Sequence, residues 1–482
     1  MVLSVMIASS KCTKSWLTYK RELGHFFKIG EMDLENISWV SLAEPVHVMG
    51  KNWTGKLTAI SQEHVLVDQC SRFEDQSFSE SFEVVFLKNR NHPLFGEFSQ
   101  QEPNEYLVHI NSREGKQQLA DLLGLLRKSQ HIDLCHKQDV EALDRFTGFS
   151  RVNFMPQTLP ELNWDDCDTS TRFLGTRFNL PILITGMTGG IQKGAMINET
   201  LAEAAVKYSI PMGIGSQRIA LENPEHESIF RLKDKFPELF LIGNLGAAQI
   251  IGSKGLERCL RAVDMVRADA LAIHINVLQE LVQVEGDRSF RGLVQSIGEL
   301  CRKLPVPVII KEVGSGVDPI TATRLVNLGV SAIDVGGKGG TSWPYIEGLR
   351  SKSIDTKRLA DCYRDWGIPT AYSLSALSLK KLGIPLIATG GIRDGLTVAK
   401  ACALGATMVG VGLPLLRAAL DSLEATEKVL ENFANELRVC MLATGSGSLR
   451  SLRQKLCLSN PCEDSLKQFI EGQAFDTGCA YD

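Results

Sequence analysis

The sequence lacks several features that would assign it to a broad class of protein. No apolar run approaches the roughly 18 residues of a membrane-spanning helix. A signal peptide carries positive charge ahead of its apolar stretch, and the segment MVLSVMIASSKC (1–12) has none there. With 52 basic and 56 acidic side chains the net charge is −4, so the basic excess of a general nucleic-acid binder is also missing. We therefore expect a protein that contacts neither a membrane nor nucleic acid.

Closely spaced cysteine pairs are missing too. The 12 cysteines are scattered along the chain, and none has the C-x-x-C spacing of a zinc ribbon or a thioredoxin-like site. A chain of this length needs no disulfide scaffold, so reduced thiols and a cytoplasmic location are expected. The 44% hydrophobic content and small net charge exclude a disordered protein.

The 482 residues exceed what one compact unit requires, since a single α/β barrel ends near roughly 250 residues. The pattern changes near residue 125. We expect a small β-rich (α+β) domain at residues 1–125, an α/β domain at residues 126–450 and a C-terminal tail at residues 451–482.

The first part alternates apolar and polar residues in short segments, which is typical of strands. The predicted strands are Trp39–Val48, Gly55–Ile60, His64–Val67, Phe82–Leu87 and Tyr106–Ile110. The following segment SREGKQQLADLLGLL (112–126) has leucines at helical spacing, with Ser112 as its N-cap. No residue cluster in this part suggests chemistry, and the sequence indicates no partner for it.

After residue 180, short apolar runs recur with helical stretches between most of them. The eight runs are PILITGM (181–187), PMGIGS (211–216), LFLIGN (239–244), ALAIHIN (270–276), PVIIKEVG (307–314), AIDVGG (332–337), PLIATGG (385–391) and MVGVGL (408–413). Continuous hydrophobicity indicates parallel strands covered on both faces. Eight such strands predict a (β/α)₈ barrel, the TIM barrel, with an open doubly wound sheet as the alternative.

Glycine-rich loops follow the last two predicted strands. TGGIRDG (389–395) and GVGLP (410–414) let backbone N–H groups approach an anion, and this fold usually binds phosphate there. Arg393 would be a charged partner for that phosphate. A long insertion, SWPYIEGLRSKSIDTKRLADCYRDWG (342–367), follows the sixth strand and is expected at the active-site mouth.

Polar residues stand where the predicted strands end, which is where barrel enzymes hold their catalytic groups. His274 and Asn276 alternate on one strand and therefore share a face. Glu280 follows within one turn, and its carboxylate suits Mg²⁺ whose other ligands are substrate phosphates. Lys311 emerges from an apolar strand and needs an anionic partner, such as the N1–C2=O edge of a flavin.

The set of motifs resembles type 2 isopentenyl-diphosphate isomerase over residues of about 125–450. The matching segments are RKSQH (127–131), TGMTGG (185–190), GIGSQR (213–218), HINVLQE (274–280), KEVGSG (311–316), GGKGGTSW (336–343) and GGIRDG (390–395). The combination of RKxxH with HxNxxQE is the most specific part. The resemblance implies a TIM barrel that uses FMN, Mg²⁺ and NADPH as reductant, and that forms tetramers or octamers.

The resemblance also implies roles for individual residues. FMN would be bound by Gly186, Met187, Thr188, Ser216, Asn244, Lys311, Thr341, Gly391, Ile392, Arg393, Val411 and Gly412. The isoprenoid diphosphate would be bound by Arg127, Lys128, Gln217, Arg218, His274, Asn276 and Gln279. Catalytic roles fall on His274, Gln279 and Lys311, and Glu280 would hold the metal.

Two other functions are kept open by the sequence. One is an FMN-dependent oxidoreductase of the 2-hydroxy-acid oxidase type, which needs a catalytic histidine late in the barrel. The chain has no histidine after His274. The other is a barrel whose N-terminal domain carries the main role, as a binding or regulatory module.

Overall fold

A computed structural model describes the chain in full at residues 127–284 and 286–456, and at Gly124. It gives the backbone alone for the strands within residues 5–110 and for residues 457–458. The predicted helix at 112–126 lies outside the described residues except for Gly124, as does the tail from residue 459 onward. Within the described part of the chain, no helix combines the length and apolar character needed to cross a membrane.

The chain divides into two compact units. The N-terminal unit comprises Met1–His131, Gln283–Glu285 and Glu347–Leu359. The barrel unit comprises Ile132–Val282, Gly286–Ile346 and Ala360–Asp482. Two short segments from late in the sequence therefore belong to the N-terminal unit.

The described residues of the N-terminal unit include seven strands that close into a small barrel in the order β1-β2-β3-β4-β7-β6-β5. The strands are β1 (Val5–Ser9), β2 (Val40–Gly50), β3 (Trp53–Ile60), β4 (His64–Arg72), β5 (Phe82–Phe86), β6 (Pro93–Glu102) and β7 (Glu105–Ile110). Among these seven strands, β1 and β2 pair in parallel and the other neighbours pair antiparallel. Sequence patterning predicted five of these strands and missed β1 and β6.

The barrel unit opens with three short strands, β8 (Val152–Phe154), β9 (Thr171–Phe173) and β10 (Thr176–Phe178). Eight parallel strands then close into a barrel in chain order. They are β11 (Ile182–Ile184), β12 (Met212–Gly213), β13 (Leu241–Gly246), β14 (Ala270–Ile275), β15 (Val308–Glu312), β16 (Ala332–Asp334), β17 (Leu386–Thr389) and β18 (Met408–Val411). Pairing of Leu183 with Gly410 joins the first strand to the last. The predicted (β/α)₈ barrel is confirmed, and the open sheet is excluded.

Helices connect the barrel strands, and a helix over residues 127–137 precedes them as α1. The others are α2 (Gln192–Tyr208), α3 (Arg218–Glu222), α4 (Ala247–Ile250), α5 (Gly255–Val266), α6 (Val277–Val282), α7 (Leu293–Lys303), α8 (Pro319–Asn327), α9 (Trp343–Arg350), α10 (Ile354–Cys362), α11 (Thr370–Leu379), α12 (Gly395–Leu404), α13 (Leu413–Asp421), α14 (Leu423–Ala443) and α15 (Leu449–Leu452). A last strand, β19 (Leu456–Leu458), pairs antiparallel with β8.

A phenylalanine hairpin contributes to the barrel core. Phe173 and Phe178, on β9 and β10, belong to one buried cluster with inward residues of the barrel strands such as Ile242 and Ile309. Both rings make edge-to-face contacts with Phe240, at centroid distances of 6.4 and 5.3 Å. The hairpin therefore stabilises the barrel from within.

Replacing Phe173 with alanine is expected to lower the free energy of unfolding by about 3–5 kcal/mol, because the fully buried ring would leave a cavity. Urea denaturation followed by circular dichroism measures the change. Leu159→Ala is the matched control, since Leu159 is 72% exposed and its loss should cost less than about 0.5 kcal/mol. Equal losses in the two variants would contradict the role of the hairpin.

Candidate active site

Three neighbouring strands bring a histidine, a lysine and an aspartate into one row. His274 of β14 pairs with Lys311 of β15, and Lys311 pairs with Asp334 of β16. Lys311 Nζ lies 3.3 Å from Asp334 Oδ2 and donates to the carbonyl oxygen of Glu312 at 3.0 Å. Both side chains of the ion pair are largely buried. Asp334, which sequence reasoning missed, thus gives the lysine an internal anionic partner.

Hydrogen bonds from β13 fix the tautomer of the histidine. Asn244 donates through Nδ2 to the carbonyl oxygen of Ile214 at 2.9 Å, so its Oδ1 is the acceptor for His274 Nδ1 at 2.8 Å. Burial, reinforced by the charge of Lys311, lowers the pKa of His274 from 6.5 to about 4. The imidazole is therefore neutral near pH 7, with its proton on Nδ1.

A cavity of about 330 Å³ lies inside the barrel beside this row. Gly186, Asn244 and Lys311, all predicted to bind cofactor, line it together with Thr185 and Asp334. The remaining wall is mostly aliphatic and comes from Leu183, Ile214, Ile242, Ala272, Ile309 and Ile387. A cavity with an apolar wall and a few convergent polar groups is typical of a cofactor or ligand site.

Gly412 and Thr188, both predicted to bind the cofactor, follow the last and the first strand of the barrel. A Cβ built on Gly412 would lie 3.0 Å from Thr185 Oγ1 and 3.6 Å from Met187 Sδ. The segments that follow β11 and β18 therefore meet there without an intervening side chain. The buried hydroxyl of Thr188 has no hydrogen-bond partner within the described residues. Ser216 follows β12, Val411 is the last residue of β18, and the buried Ile392 precedes Arg393. This region can accept a ligand with hydrogen-bonding groups.

A second cavity, of about 370 Å³, opens where strands β14 to β16 end, and we call it the mouth cavity. Asn276, Gln279 and Thr341 line it, as predicted site residues. The insertion after β16 contributes an aromatic wall formed by Trp343, Tyr363 and Trp366. The insertion therefore does reach the catalytic end of the barrel, as expected.

Glu312 also lines the mouth cavity, and the sequence did not indicate a role for it. Its Oε2 accepts hydrogen bonds from the backbone N–H groups of residues 313, 314 and 315 at 2.5–2.6 Å. Burial outweighs these bonds and raises the pKa of Glu312 from 4.5 to about 7. The mouth cavity thus contains a carboxyl group that titrates near neutral pH.

The raised pKa predicts how Glu312 affects stability. An acid whose folded pKa lies above its unfolded value contributes stability that is complete below the unfolded pKa and is lost as pH rises through the folded one. The contribution of Glu312 is therefore full below about pH 4.5 and lost as pH rises through about 7. Glu312→Gln removes this titration, so the stability of the wild type relative to the variant should fall across that window. Urea unfolding of both proteins from pH 4 to 8 tests this, and parallel pH curves would contradict it.

Glu280 lies on α6, directly after β14. Its Oε1 accepts from Asn276 Nδ2 at 2.9 Å, and its Oε2 accepts from the backbone N–H of Asp287 at 2.9 Å. Asn276 Nδ2 also donates to Gln279 Oε1 at 3.2 Å, so three predicted site residues form one network. No cluster of three or more metal-ligating side chains occurs among the described residues. A metal bound by Glu280 would therefore need further oxygen ligands from a bound substrate.

Other predicted residues have internal contacts in the structure. Gln217 is fully buried; it accepts from the N–H of Asn244 at 2.9 Å and donates to the carbonyl oxygen of Ala262 at 2.8 Å. These contacts give Gln217 a role in holding Asn244. Arg218 pairs with Glu222 at 2.9 Å, one turn along α3. Contact of Gln217 and Arg218 with a diphosphate stays a prediction.

Arg127 and Lys128 lie in α1 and belong to the N-terminal unit, whose segment Glu347–Leu359 supplies a buried acid. His131 lies 3.0 Å from Glu347, and Arg350 also pairs with that carboxylate. Burial lowers the pKa of His131, against the opposing effect of Glu347. Glu347 was not identified from the sequence. The predicted contact of Arg127 and Lys128 with substrate stays a prediction.

The segment of residues 139–147, which we call the strap, packs on the glycine loops after β16 and β17. A Cβ built on Gly391, whose φ is +70°, would lie 2.3 Å from Thr147 Cγ2, and one on Gly339 would lie 2.6 Å from the same atom. Arg393 donates from Nε to Glu141 Oε1 at 2.9 Å. These two glycines thus admit the strap, which the sequence reading had not anticipated.

Comparisons with known proteins identify the family. Isopentenyl-diphosphate delta-isomerase of Nostoc sp. is 44% identical over 327 residues, which are 68% of this chain and 93% of that protein. The chain belongs to the isopentenyl-diphosphate delta-isomerase family. The isomerases of Thermococcus onnurineus and Pyrococcus furiosus are 45% and 43% identical, over 72% and 73% of this chain and 95% and 91% of their own lengths. The model for FMN-dependent dehydrogenases matches residues 270–459. The enzyme is therefore an isomerase built on an FMN-type barrel.

Proposed function

We propose that the chain interconverts isopentenyl and dimethylallyl diphosphate by a 1,3-allylic proton shift that requires reduced FMN and Mg²⁺. The observation that carries this proposal is identity of 43–45% across at least 91% of the length of three isomerases of this name. The presence of predicted site residues in the walls of both cavities is consistent with it.

The chemistry of the cavity inside the barrel suits FMN. Lys311 would meet the electron-rich edge of the ring, and the aliphatic wall would cover an aromatic face. The unpartnered hydroxyl of Thr188 adds hydrogen-bonding capacity. When bound, reduced FMN supplies acid–base capacity toward an unactivated alkene, which ordinary side chains near pH 7 lack.

The role of the side chains is to bind and orient the substrate. Asn276 donates hydrogen bonds to the side chains of both Gln279 and Glu280. Gln279, which would orient the five-carbon group, is therefore coupled to Glu280, which would hold Mg²⁺. The diphosphate would complete the coordination of a metal bound by one carboxylate. The aromatic wall of the mouth cavity would cover the hydrocarbon and exclude water from a developing positive charge.

The anionic substrate would also change the histidine. His274 is neutral before binding, with its proton directed to Asn244. A diphosphate beside Nε2 favours the protonated ring, because an adjacent negative charge raises the pKa of an imidazole. His274 would then bind the diphosphate as a cation while Asn244 keeps the ring in place.

Further elements of the proposal follow from the family resemblance. NADPH would reduce the flavin, the enzyme would act in the cytoplasm, and it would assemble as a homotetramer or homo-octamer. The substrate is a small isoprenoid diphosphate, and no nucleic-acid or membrane partner is proposed. The N-terminal unit has no assigned partner.

An absorption spectrum and an isomerase assay test this function. The purified protein should be yellow, and with reduced FMN and Mg²⁺ it should interconvert the two diphosphates without stoichiometric consumption of NADPH. Absence of turnover under these conditions would overturn the proposal.

The match to the FMN-dependent dehydrogenase model keeps an oxidoreductase as the second candidate. Steady reoxidation of the flavin driven by a 2-hydroxy acid would favour it. The lack of any histidine after His274 removes the late catalytic histidine on which that chemistry depends.

A further inference from the structure

The strap is fixed to the barrel on both sides of Glu141. The N–H of Ala142 donates to the carbonyl oxygen of Gly340 at 2.8 Å. The N–H of Ser342 donates to the carbonyl oxygen of Val140, also at 2.8 Å. Arg364 Nε donates to the carbonyl oxygen of Glu141 at 3.0 Å. Since its neighbours and its own carbonyl are all bonded, the main chain of Glu141 is fixed, and the contact with Arg393 holds its carboxylate.

This carboxylate uses one particular edge of the Arg393 guanidinium. Nε and Nη2 of Arg393 both donate to Glu141 Oε1, which is a side-on contact. Nη1 donates back to the carbonyl oxygen of the preceding Ile392 at 2.8 Å. An arginine has five N–H donors, and these contacts use one each on Nε, Nη1 and Nη2. One N–H on Nη1 and one on Nη2 therefore remain, at the end of the guanidinium. Two parallel donors at that end match the oxygens of a phosphate.

The surrounding charges limit the repulsion that an acid beside a phosphate would cause. Glu141 Oε2 lies 3.7 Å from Arg145 Nε, so the carboxylate is shared between two arginines. Arg145 also pairs with Asp139 at 2.6 Å, on the exposed side of the strap. Arg393 keeps a side chain that is 33% exposed, so its free donors remain accessible to a ligand.

We propose that Glu141 is a positioning residue that orients Arg393 to bind the phosphate of FMN through the end of its guanidinium. The inference rests on the proposed function, because it assigns the anion to the flavin nucleotide. Glu141 lies in the strap, outside the barrel strands, and thereby becomes part of the FMN-binding site.

Comparison of FMN with riboflavin tests the inference, since the two ligands differ by the phosphate alone. Flavin fluorescence titrations of the apoprotein give both dissociation constants. Glu141→Gln should weaken FMN binding about tenfold, as expected for one charge-assisted contact, and change riboflavin binding less than about twofold. Glu257→Gln, which changes an exposed acid on α5, is the control, and both of its dissociation constants should stay within about twofold of the wild type.

Three results would overturn the inference, and one of them is unchanged FMN binding by the variants. Tighter FMN binding by Glu141→Gln would make the carboxylate a competitor of the phosphate, and equal weakening of FMN and riboflavin would reduce it to structural support of the strap. If Glu141→Gln does not fold, Glu141→Asp takes its place: it keeps the charge, shortens the reach to Arg393, and should weaken FMN alone. Absence of flavin binding by the wild type would defeat the proposed function itself, whereas unchanged FMN binding by the variants defeats only the role of Glu141.

Discussion

Replacing Lys311 with methionine is expected to lower kcat/KM for isopentenyl diphosphate about 10²–10³-fold, the usual cost of removing a preorganised charge from a reaction centre. The substitution also leaves Asp334 without its cation in a largely buried position. Loss of one member of a buried ion pair costs about 3–5 kcal/mol of unfolding free energy. Steady-state kinetics and urea denaturation measure the two effects.

The double variant Lys311→Met with Asp334→Asn separates these effects. Removing both charges should recover most of the stability and none of the activity, because the neutral pair no longer buries an isolated carboxylate. Lys303→Met is the surface control; it breaks only an exposed pair with Glu299 and should change both quantities little. Recovered activity in the double variant would show that Lys311 serves only to neutralise Asp334.

Replacing Glu280 with glutamine should lower kcat/KM about 10²-fold or more at ordinary Mg²⁺ concentrations, as second-sphere and ligand changes at metal sites do. Glu280 is the proposed Mg²⁺ ligand, no cluster of three or more metal-ligating side chains occurs among the described residues, and the amide would bind Mg²⁺ poorly. Activity measured against Mg²⁺ concentration should show a large rise in the concentration needed for half-maximal rate.

Two controls make the metal assignment specific. Glu257→Gln changes an exposed acid in the first turn of α5 and should leave the Mg²⁺ dependence unchanged. Circular dichroism should show that Glu280→Gln keeps its fold, since the new amide oxygen still accepts from Asn276 or from Asp287. A Mg²⁺ dependence identical to the wild type would place the metal elsewhere.

The barrel could be predicted because each of its strands is a local signal. An apolar run that ends in glycine or a polar residue identifies a buried parallel strand without knowledge of its neighbours. The β9–β10 hairpin was missed, because strands of three residues are too short to show a period. Its importance comes from Phe173 and Phe178 packing against distant strands, which only the folded chain reveals.

The predicted site residues were chosen on local signals as well. His274, Asn276 and Lys311 lie at or just after the ends of apolar runs, which predicts a place on the catalytic face of a barrel. Asp334 looks like one acid in an apolar run, and its pairing with Lys311 depends on the register of two strands. Glu141 and Arg393 are 252 residues apart, so their contact could not be derived from sequence spacing.

The composition of the N-terminal unit has a consequence for how the protein is made. Its first segment ends at His131, but it also includes residues 347–359, the last of which the ribosome adds 228 residues later. At roughly 5–20 residues per second, the early part waits on the order of ten to fifty seconds for its last segment. During that interval it is an incomplete unit outside the ribosome, and its seven strands must avoid pairing with neighbouring chains. We therefore expect expression yield to depend on translation speed and chaperones more strongly for this chain than for an isolated barrel.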